Sequence, residues 1–368
     1  MASTFKTFVS DDIANTRTLL HESIPITGSI VNGITYATNN NIKSYGHGMF
    51  QSVYDYPYTS SSANHIFDMA IGIHPDDAGA TTANPQFAKR SNIYNQMAQV
   101  LVGHDVNGEI RKFDKDGDLT GGDKYGKIMF FNFARLLGKD EIKKGTFSMT
   151  LGVTLDYFAN ITSMHGVQVN INDSGAATDY RVNSPAGEYG VLKLSEVDAD
   201  SGSPEDVLTN EGEVCGLIYY QAGIVAIDPY VFNTQYMTNT PDNSCEMNAA
   251  GNGMLTLLTV STTATNDEIL EGIRKRIVNI QFSNTTELNS TIYFCRVGHN
   301  DFNYSSNPTY LENSKIRVKD KSTDSPVSYI TTVGLYSADN EMLAVAKLSE
   351  PLRKDPTNDM TLRVRLDY

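Results

Sequence analysis

Residues 360–368, MTLRVRLDY, alternate without a break to the last residue. Met360, Leu362, Val364, Leu366 and Tyr368 share one face of an extended strand; Thr361, Arg363, Arg365 and Asp367 share the other. Only a period of two separates the apolar and polar sets so cleanly, so this segment has to be a β-strand with one buried face. Fully extended, it spans about 30 Å.

The stretch just before it, residues 329–354, reads YITTVGLYSADNEMLAVAKLSEPLRK. It predicts two strands around a polar turn at 337–340, whose Asp339 and Asn340 can close a turn or take left-handed dihedrals. Tyr329, Thr331, Val333 and Leu335 face one way, and Ile330, Thr332, Gly334 and Tyr336 the other. On the return strand Leu343, Val345 and Lys347 oppose Met342, Ala344, Ala346 and Leu348. Both faces are apolar or small, which predicts burial on both sides.

Other strand signals are many. Residues 148–158, SMTLGVTLDYF, alternate Met149, Leu151, Val153 and Leu155. Residues 215–227 hold two short apolar runs split by Gln221, Ala222 and Gly223. The runs RIVNIQFSN (276–284) and STIYFCRV (290–297) predict paired strands joined by a polar turn, SNTTELNS. Residues 170–212, acidic and rich in Gly and Ser, read as a long surface loop or interface arm.

Helix signals are few. Residues 10–23, SDDIANTRTLLHES, offer Ser10 as N-cap with Asp11 and Asp12 in the first turn. Residues 84–103 are the strongest case: Asn84 as cap, Pro85 in the first turn, a stripe of Tyr94, Met97, Ala98 and Leu101, and Gly103 as the stop. Residues 266–280 place Ile269, Ile273 and Ile277 on one face, with Asn266 as cap and acids before bases. No repeat of fixed period occurs. The expected fold is mainly β with a few helices, a β-rich α+β chain of several units. These are an N-terminal mixed region (1–150), a middle β region (151–265) and a C-terminal helix with an antiparallel β domain (266–368).

Composition then limits function. With 29 Lys and Arg against 43 Asp and Glu, the net charge is −14. That argues against wrapping nucleic acid, which requires clustered cations, and suits a subunit kept soluble until it meets its partners. Three widely spaced cysteines, Cys215, Cys245 and Cys295, form neither a zinc motif nor a disulfide framework, and point to folding in a reducing cytoplasm. The first residues lack an apolar signal core, and no apolar run reaches the length of a membrane helix, so no membrane insertion is expected.

Motifs for chemistry are weak. FDKDGDLTGGD brings Asp114, Asp116 and Asp118 beside Gly117, like part of a calcium loop. The register fails both ways. With Gly117 in the glycine position, Lys112 takes the first ligand place; with Asp114 first, Leu119 takes the glycine place. A solvated hairpin turn is the stronger reading, and these three aspartates remain the metal candidates. Ser60, Ser61 and Ser62 sit near His65 and Asp68, but clustering in one loop is not triad geometry. The acid pairs Asp76–Asp77 and Asp198–Asp200 are adjacent rather than set across a cleft, as glycoside hydrolysis needs. Walker, GxGxxG, GxSxG and HExxH motifs are absent. No catalytic residue and no cofactor is therefore expected. The 20 tyrosines, with no tryptophan, instead suggest interface anchors. The candidates are Tyr54, Tyr56, Tyr58, Tyr329, Tyr336, Leu343, Val345 and Tyr368.

Several blocks carry a family resemblance: VYDYPYTSSSANHIFDMAIG, FFNFARLLGKDEIKKGTF, LIYYQAGIVAIDPYVF, FNYSSNPTY and the 329–354 hairpin. Together they resemble a family of virion structural proteins of tailed phages, notably contractile-tailed phages of marine cyanobacteria. The blocks cover most of the chain from Val53 on. The hairpin is also similar to a strand–turn–strand, GLYD-x-x-G-x-L-x-A, of proteins that join tail fibres to baseplates, with Asp339, Asn340 and Glu341 at its turn. The resemblance implies a non-enzymatic virion component, made and assembled in the host cytoplasm. Its implied partners are baseplate, tail or neck subunits and a fibre, with several copies per particle. A neck, collar or capsid-decorating subunit is the close alternative, and a receptor-binding or polysaccharide-degrading protein a more distant one.

Overall fold

The computed structural model describes residues 5–25, 41–77, 85–119, 121–137, 140–153, 168–196, 212–233, 245–247, 253–259, 264–305, 311–312, 315–316 and 327–368. A 3-10 turn at Ser10–Asp12 leads into β1 (Ile13–Pro25). β2 (Ile42–Ser44), β3 (Phe50–Tyr54) and β4 (His65–Ile73) follow, then helix α1 (Pro85–Leu101). β5 (Phe113–Asp114), β6 (Lys124–Tyr125) and β7 (Lys127–Asn132) precede the short α2 (Ala134–Leu137). Next come β8 (Glu141–Ile142), β9 (Ser148–Gly152), β10 (Gln168–Asn172) and β11 (Tyr180–Ser184). β12 (Gly187–Glu196), β13 (Val214–Tyr219) and β14 (Ile224–Ile227) lead to helices α3 (Met254–Thr259) and α4 (Asn266–Arg276). The last strands are β15 (Ile277–Val297), β16 (Leu311–Glu312), β17 (Lys315–Ile316), β18 (Ser328–Tyr336), β19 (Met342–Lys354) and β20 (Met360–Asp367). The chain is mainly β with a few helices, an α+β fold with antiparallel sheets.

It divides into two compact units, Met1–Leu20 with Glu287–Tyr368, and His21–Thr286. The division falls elsewhere than at 150 and 265. The N-terminal segment belongs with the C-terminal strands, and one strand, β15, passes through the boundary at Glu287.

In the unit His21–Thr286 the strand order is β15-β9-β10-β12-β13-β14-β7-β4-β3-β2. Its central strands are buried on both faces, which explains apolar runs such as KIMFFN. In β7, Ile128 and Phe130 face one core with Ile93, Tyr94, Ala98 and Leu101 of α1. Met129 and Phe131 face a second core with Met254, Leu257, Ile269 and Ile273 of α3 and α4. Each such side chain contributes about 1.5–3 kcal/mol by leaving water.

Helix α1 forms on the anticipated stripe, with Tyr94, Ala98 and Leu101 buried and Met97 half-buried. Gly103 ends it in the left-handed region at φ +84°, where glycine carries no Cβ penalty. Arg90, almost fully buried, ties α1 to its neighbours. Its guanidinium donates to Asn266 Oδ1 at 2.7 Å and to the carbonyls of Leu257, Leu258 and Ala264. Asn266 therefore serves Arg90, and the cap of α4 is Thr265, whose hydroxyl accepts Glu268 N–H at 3.2 Å.

Three expectations are corrected. Residues 13–25 are strand β1, not helix. Its side chains engage β15 with a period of two: Asn15 at Thr291, Arg17 at Glu287, His21 at Thr285. Long-range pairing outweighs the local cap signal of Ser10, Asp11 and Asp12. The runs 276–284 and 290–297 are one 21-residue strand and do not pair with each other. The polar link stays extended because Asn284 and Thr285 pair with Ile142 and Glu141 of β8, and Asn284 donates to Asp140 at 2.8 Å. Residues 170–196 form strands β10, β11 and β12 instead of a loop. In β11, Tyr180, Val182 and Asn183 are exposed, and Arg181 and Ser184 are half-buried; residues 197–211 lie outside the described set.

In the other unit, the last part of β15 is flanked by β1 and β20. β20 pairs antiparallel from Ser290↔Asp367 to Val297↔Met360. Its alternation is realised: Val364 is buried, Met360, Leu362 and Leu366 are half-buried, and Thr361, Arg363, Arg365 and Asp367 are exposed. β18 and β19 form a separate two-stranded sheet. At its base Lys354 is wholly buried, donating to His299 O, Asn303 Oδ1 and Asp355 O.

Candidate functional site

The β18–β19 hairpin is closed by the turn 337–340. Ser337 N–H donates to Glu341 O at 2.8 Å, and Asn340 takes the left-handed conformation at φ +63°, as its side-chain type permits. The register sets Thr332 opposite Lys347 and Gly334 opposite Val345. Tyr336, Leu343 and Val345 thus project on one side. They are 46%, 68% and 57% exposed, whereas Leu335 on the other side is buried. The expected burial on both sides is corrected to one. The side carrying Leu335 packs within its own unit; on the other side Tyr336 meets the ring of Phe5 edge-on, while Leu343 and Val345 stand open as an apolar patch.

Tyr329, near the base of β18, and Tyr368 are also exposed. Tyr368 holds its place through backbone bonds with Asn289 and a hydroxyl 3.1 Å from Thr291 Oγ1. Tyr54, Tyr56 and Tyr58 belong to the other unit. Tyr54 stacks on His65 with ring centroids 5.3 Å apart, while Tyr56 and Tyr58 are exposed.

His65 does meet Asp68, Nε2 to Oδ1 at 2.7 Å, but the serine at the site is Ser52, which donates to the same Oδ1. The carboxylate sits between serine and histidine. A nucleophilic triad places the histidine between the other two, so this arrangement cannot activate Ser52. Ser60 and Ser62 make turn bonds, as their sequence suggests.

Asp114, at the end of β5, and Asp116 and Asp118, in the loop to β6, bring one carboxylate oxygen each within 4.8 Å of one another, in a hairpin as expected. Asp114 is buried and ion-paired with Lys124 at 2.8 Å; its other oxygen accepts Leu119 N–H at 2.7 Å. Burial raises its carboxyl above the usual range, opposed by Lys124 and the Leu119 N–H. The hairpin thus meets the charge of Asp114 from within. Beside it a polar cleft of about 460 Å³ is lined by His74, Asp76, Asp77, Lys112 and Lys127, among others. Asp77 pairs with Lys127 at 2.6 Å and Asp76 with Lys112 at 3.5 Å. Burial, then Lys112, lowers the pKa of His74 and favours its neutral form. These acids are charge-balanced partners of Lys112 and Lys127. Asp198 and Asp200 lie outside the described residues.

One feature escapes sequence reasoning. In the unit of residues 1–20 and 287–368, a groove of about 870 Å³ is lined by residues 5–8, 295–297 and 328–337. Phe5 packs edge-on against Tyr336 and Phe8 tilts on Tyr293. The one local signal was the pair Phe5 and Phe8 in an otherwise polar start. No described helix is long and apolar enough to cross a membrane.

Fold and site together define a β-rich α+β protein with an exposed apolar patch in one unit and charge-balanced polar clusters in the other. Compared with known proteins, the chain matches no family model, no curated protein and no solved structure.

Proposed function

We propose that the chain is a non-enzymatic structural subunit of a phage particle, a tail baseplate component that binds neighbouring subunits and anchors a fibre. The resemblance of its sequence blocks to virion proteins supports the class. The observation that carries docking is the open face of Tyr336, Leu343 and Val345 on a sheet of only two strands. A two-stranded ribbon is marginally stable by itself, so a neighbour that covers it adds stability and removes apolar surface from water.

Charge is divided accordingly. Residues 21–286 hold 17 Lys and Arg against 30 Asp and Glu, and the remaining residues 12 against 13. The acidic unit favours solubility of the free subunit, and the nearly neutral unit offers a contact surface without long-range repulsion. Exposed tyrosines supply rigid anchors of the kind that dominate interface energies.

The deciding experiment is subunit localisation in a particle reconstruction, backed by immunogold labelling. Density at the baseplate is expected. Density only on the capsid lattice, or absence from the particle, would overturn the reading. In parallel, Leu343→Glu with Val345→Glu should leave melting of the free subunit unchanged and reduce its incorporation into particles.

A further inference from the structure

The groove beside β18 has an unusual lining: every residue from Ser328 to Ser337 contributes to it. Side chains of a strand alternate between two faces. A cavity that touches each successive residue therefore runs along the strand's edge and not over one face. β18 pairs with β19 alone, and among the described residues its other edge has no backbone partner. The facing wall, residues 5–8, is also main chain outside any strand pairing.

The charges in the lining are already neutralised. Lys6 pairs with Asp301 at 2.6 Å and Arg296 with Asp12 at 2.6 Å. Phe5, Phe302, Tyr304, Tyr329 and Tyr336 stand partly exposed around it. The site thus combines an open row of amides and carbonyls, an uncharged interior and aromatic side chains at its margin.

We propose that this groove binds one extended, uncharged segment of another protein, added as a strand along the free edge of β18. Only a peptide main chain offers alternating donors and acceptors at the spacing of that edge. A helix satisfies its own backbone groups and a lipid has none, so neither would satisfy β18. The nine residues of β18 offer an edge about 30 Å long. Alternate side chains of the added strand would meet the aromatic margin. This inference is independent of any place in a particle.

Cys295 lines the groove and is partly exposed, whereas Cys215 and Cys245 are buried. It reports occupancy in the intact chain. A random peptide library is panned against the full-length protein, and enriched peptides are synthesised singly as probes. They should alternate apolar residues and slow alkylation of Cys295 by N-ethylmaleimide about tenfold at saturation. N-methylation of the alternate nitrogens that face β18 should weaken binding at least about tenfold, through loss of several backbone hydrogen bonds. Protein carrying a bulky maleimide on Cys295 should not bind, while Cys295→Ser should bind normally. The proposal is overturned if no peptide is enriched, if enriched peptides bind without protecting Cys295, or if N-methylation in either register leaves binding intact. It is equally overturned, in favour of a second copy of this chain, if Cys295 becomes protected with rising protein concentration and no peptide.

Discussion

The hydroxyl of Tyr220 donates to Asp173 Oδ2 at 3.0 Å inside the unit His21–Thr286. The same carboxyl accepts the backbone N–H of Gly145 at 2.8 Å and of Phe147 at 2.9 Å. One buried side chain thus holds the turn before β9 against the end of β10 and the β13–β14 hairpin. Asp173→Asn keeps the shape but leaves one oxygen for two backbone donors. It should cost about 1–3 kcal/mol in chemical denaturation. Burial is the main cause that raises the carboxyl of Asp173 above its ordinary range. A raised folded value means the group's contribution is full in acid and declines as pH rises through that value. The stability gap between wild type and Asp173→Asn should therefore narrow as pH rises from the ordinary carboxylate range. A gap that widens with pH would refute the assignment.

Helix α1 crosses β4 at Gly72. A Cβ there would lie 3.0 Å from Tyr94 Cα and 2.9 Å from the Phe130 ring. One of these is backbone, so the helix and sheet would have to separate. Gly72→Ala should destabilise by about 1–3 kcal/mol, the range for overpacked cores, and Gly72→Val by more. Melting curves of the two variants check this; an alanine variant as stable as wild type would show that the helix can shift freely.

How much of this was legible follows from the range of the signals. α1, the β13–β14 hairpin and β20 each declare themselves within a dozen or two residues, through Pro85 and Gly103, through Gln221–Gly223, and through strict alternation. β1 reads as helix because Ser10, Asp11 and Asp12 are a local cap signature, while its partners Thr291 and Glu287 stand some 270 residues away. β15 reads as two strands because SNTTELNS has the composition of a turn, and only its pairing with the distant β8 keeps it extended. Of the tyrosine and hairpin candidates, all but the half-buried Tyr54 stand exposed, although the pattern of the hairpin predicts burial on both sides. Alternation cannot say whether a face is covered by its own chain, so the open side of Leu343 and Val345 was invisible. Apart from Phe5 and Phe8, the groove is illegible in the sequence because its walls come from three distant stretches.

The aspartate loop yields a negative expectation. Lys124 already stands 2.8 Å from Asp114, and Leu119 holds φ +63° with its N–H on the same carboxylate. Millimolar calcium should leave the melting temperature unchanged. A site of sensor-like affinity would add about 2.7 kcal/mol at a hundredfold excess over Kd, a visible shift. Lys124→Met should destabilise by about 1–3 kcal/mol, since it strands a buried carboxylate. Stabilisation of wild type by calcium would reverse the reading and make Lys124 a displaceable counter-ion.

Removal of the last eight residues takes away all but the first residue of β20. The ladder from Ser290 to Val297 then loses its partner along one edge of β15. Three consequences follow together. Eight registered pairs are reduced to one, so a row of amides and carbonyls opens to pairing with other chains. Val364, Leu362 and Leu366 no longer shield Tyr293, Cys295 and Thr291, their direct cross-strand neighbours. Ser290 loses Asp367, which accepts its hydroxyl at 2.5 Å. The truncated chain should be recovered mainly as aggregate, with any soluble fraction melting without cooperativity and binding an apolar dye. Arg363→Thr with Arg365→Thr, on the exposed face of the same strand, should by contrast stay soluble and fold. Sedimentation of the two proteins side by side separates loss of the buried face from loss of charge. A soluble truncation that melts cooperatively would mean that β1 and β15 suffice to hold this unit.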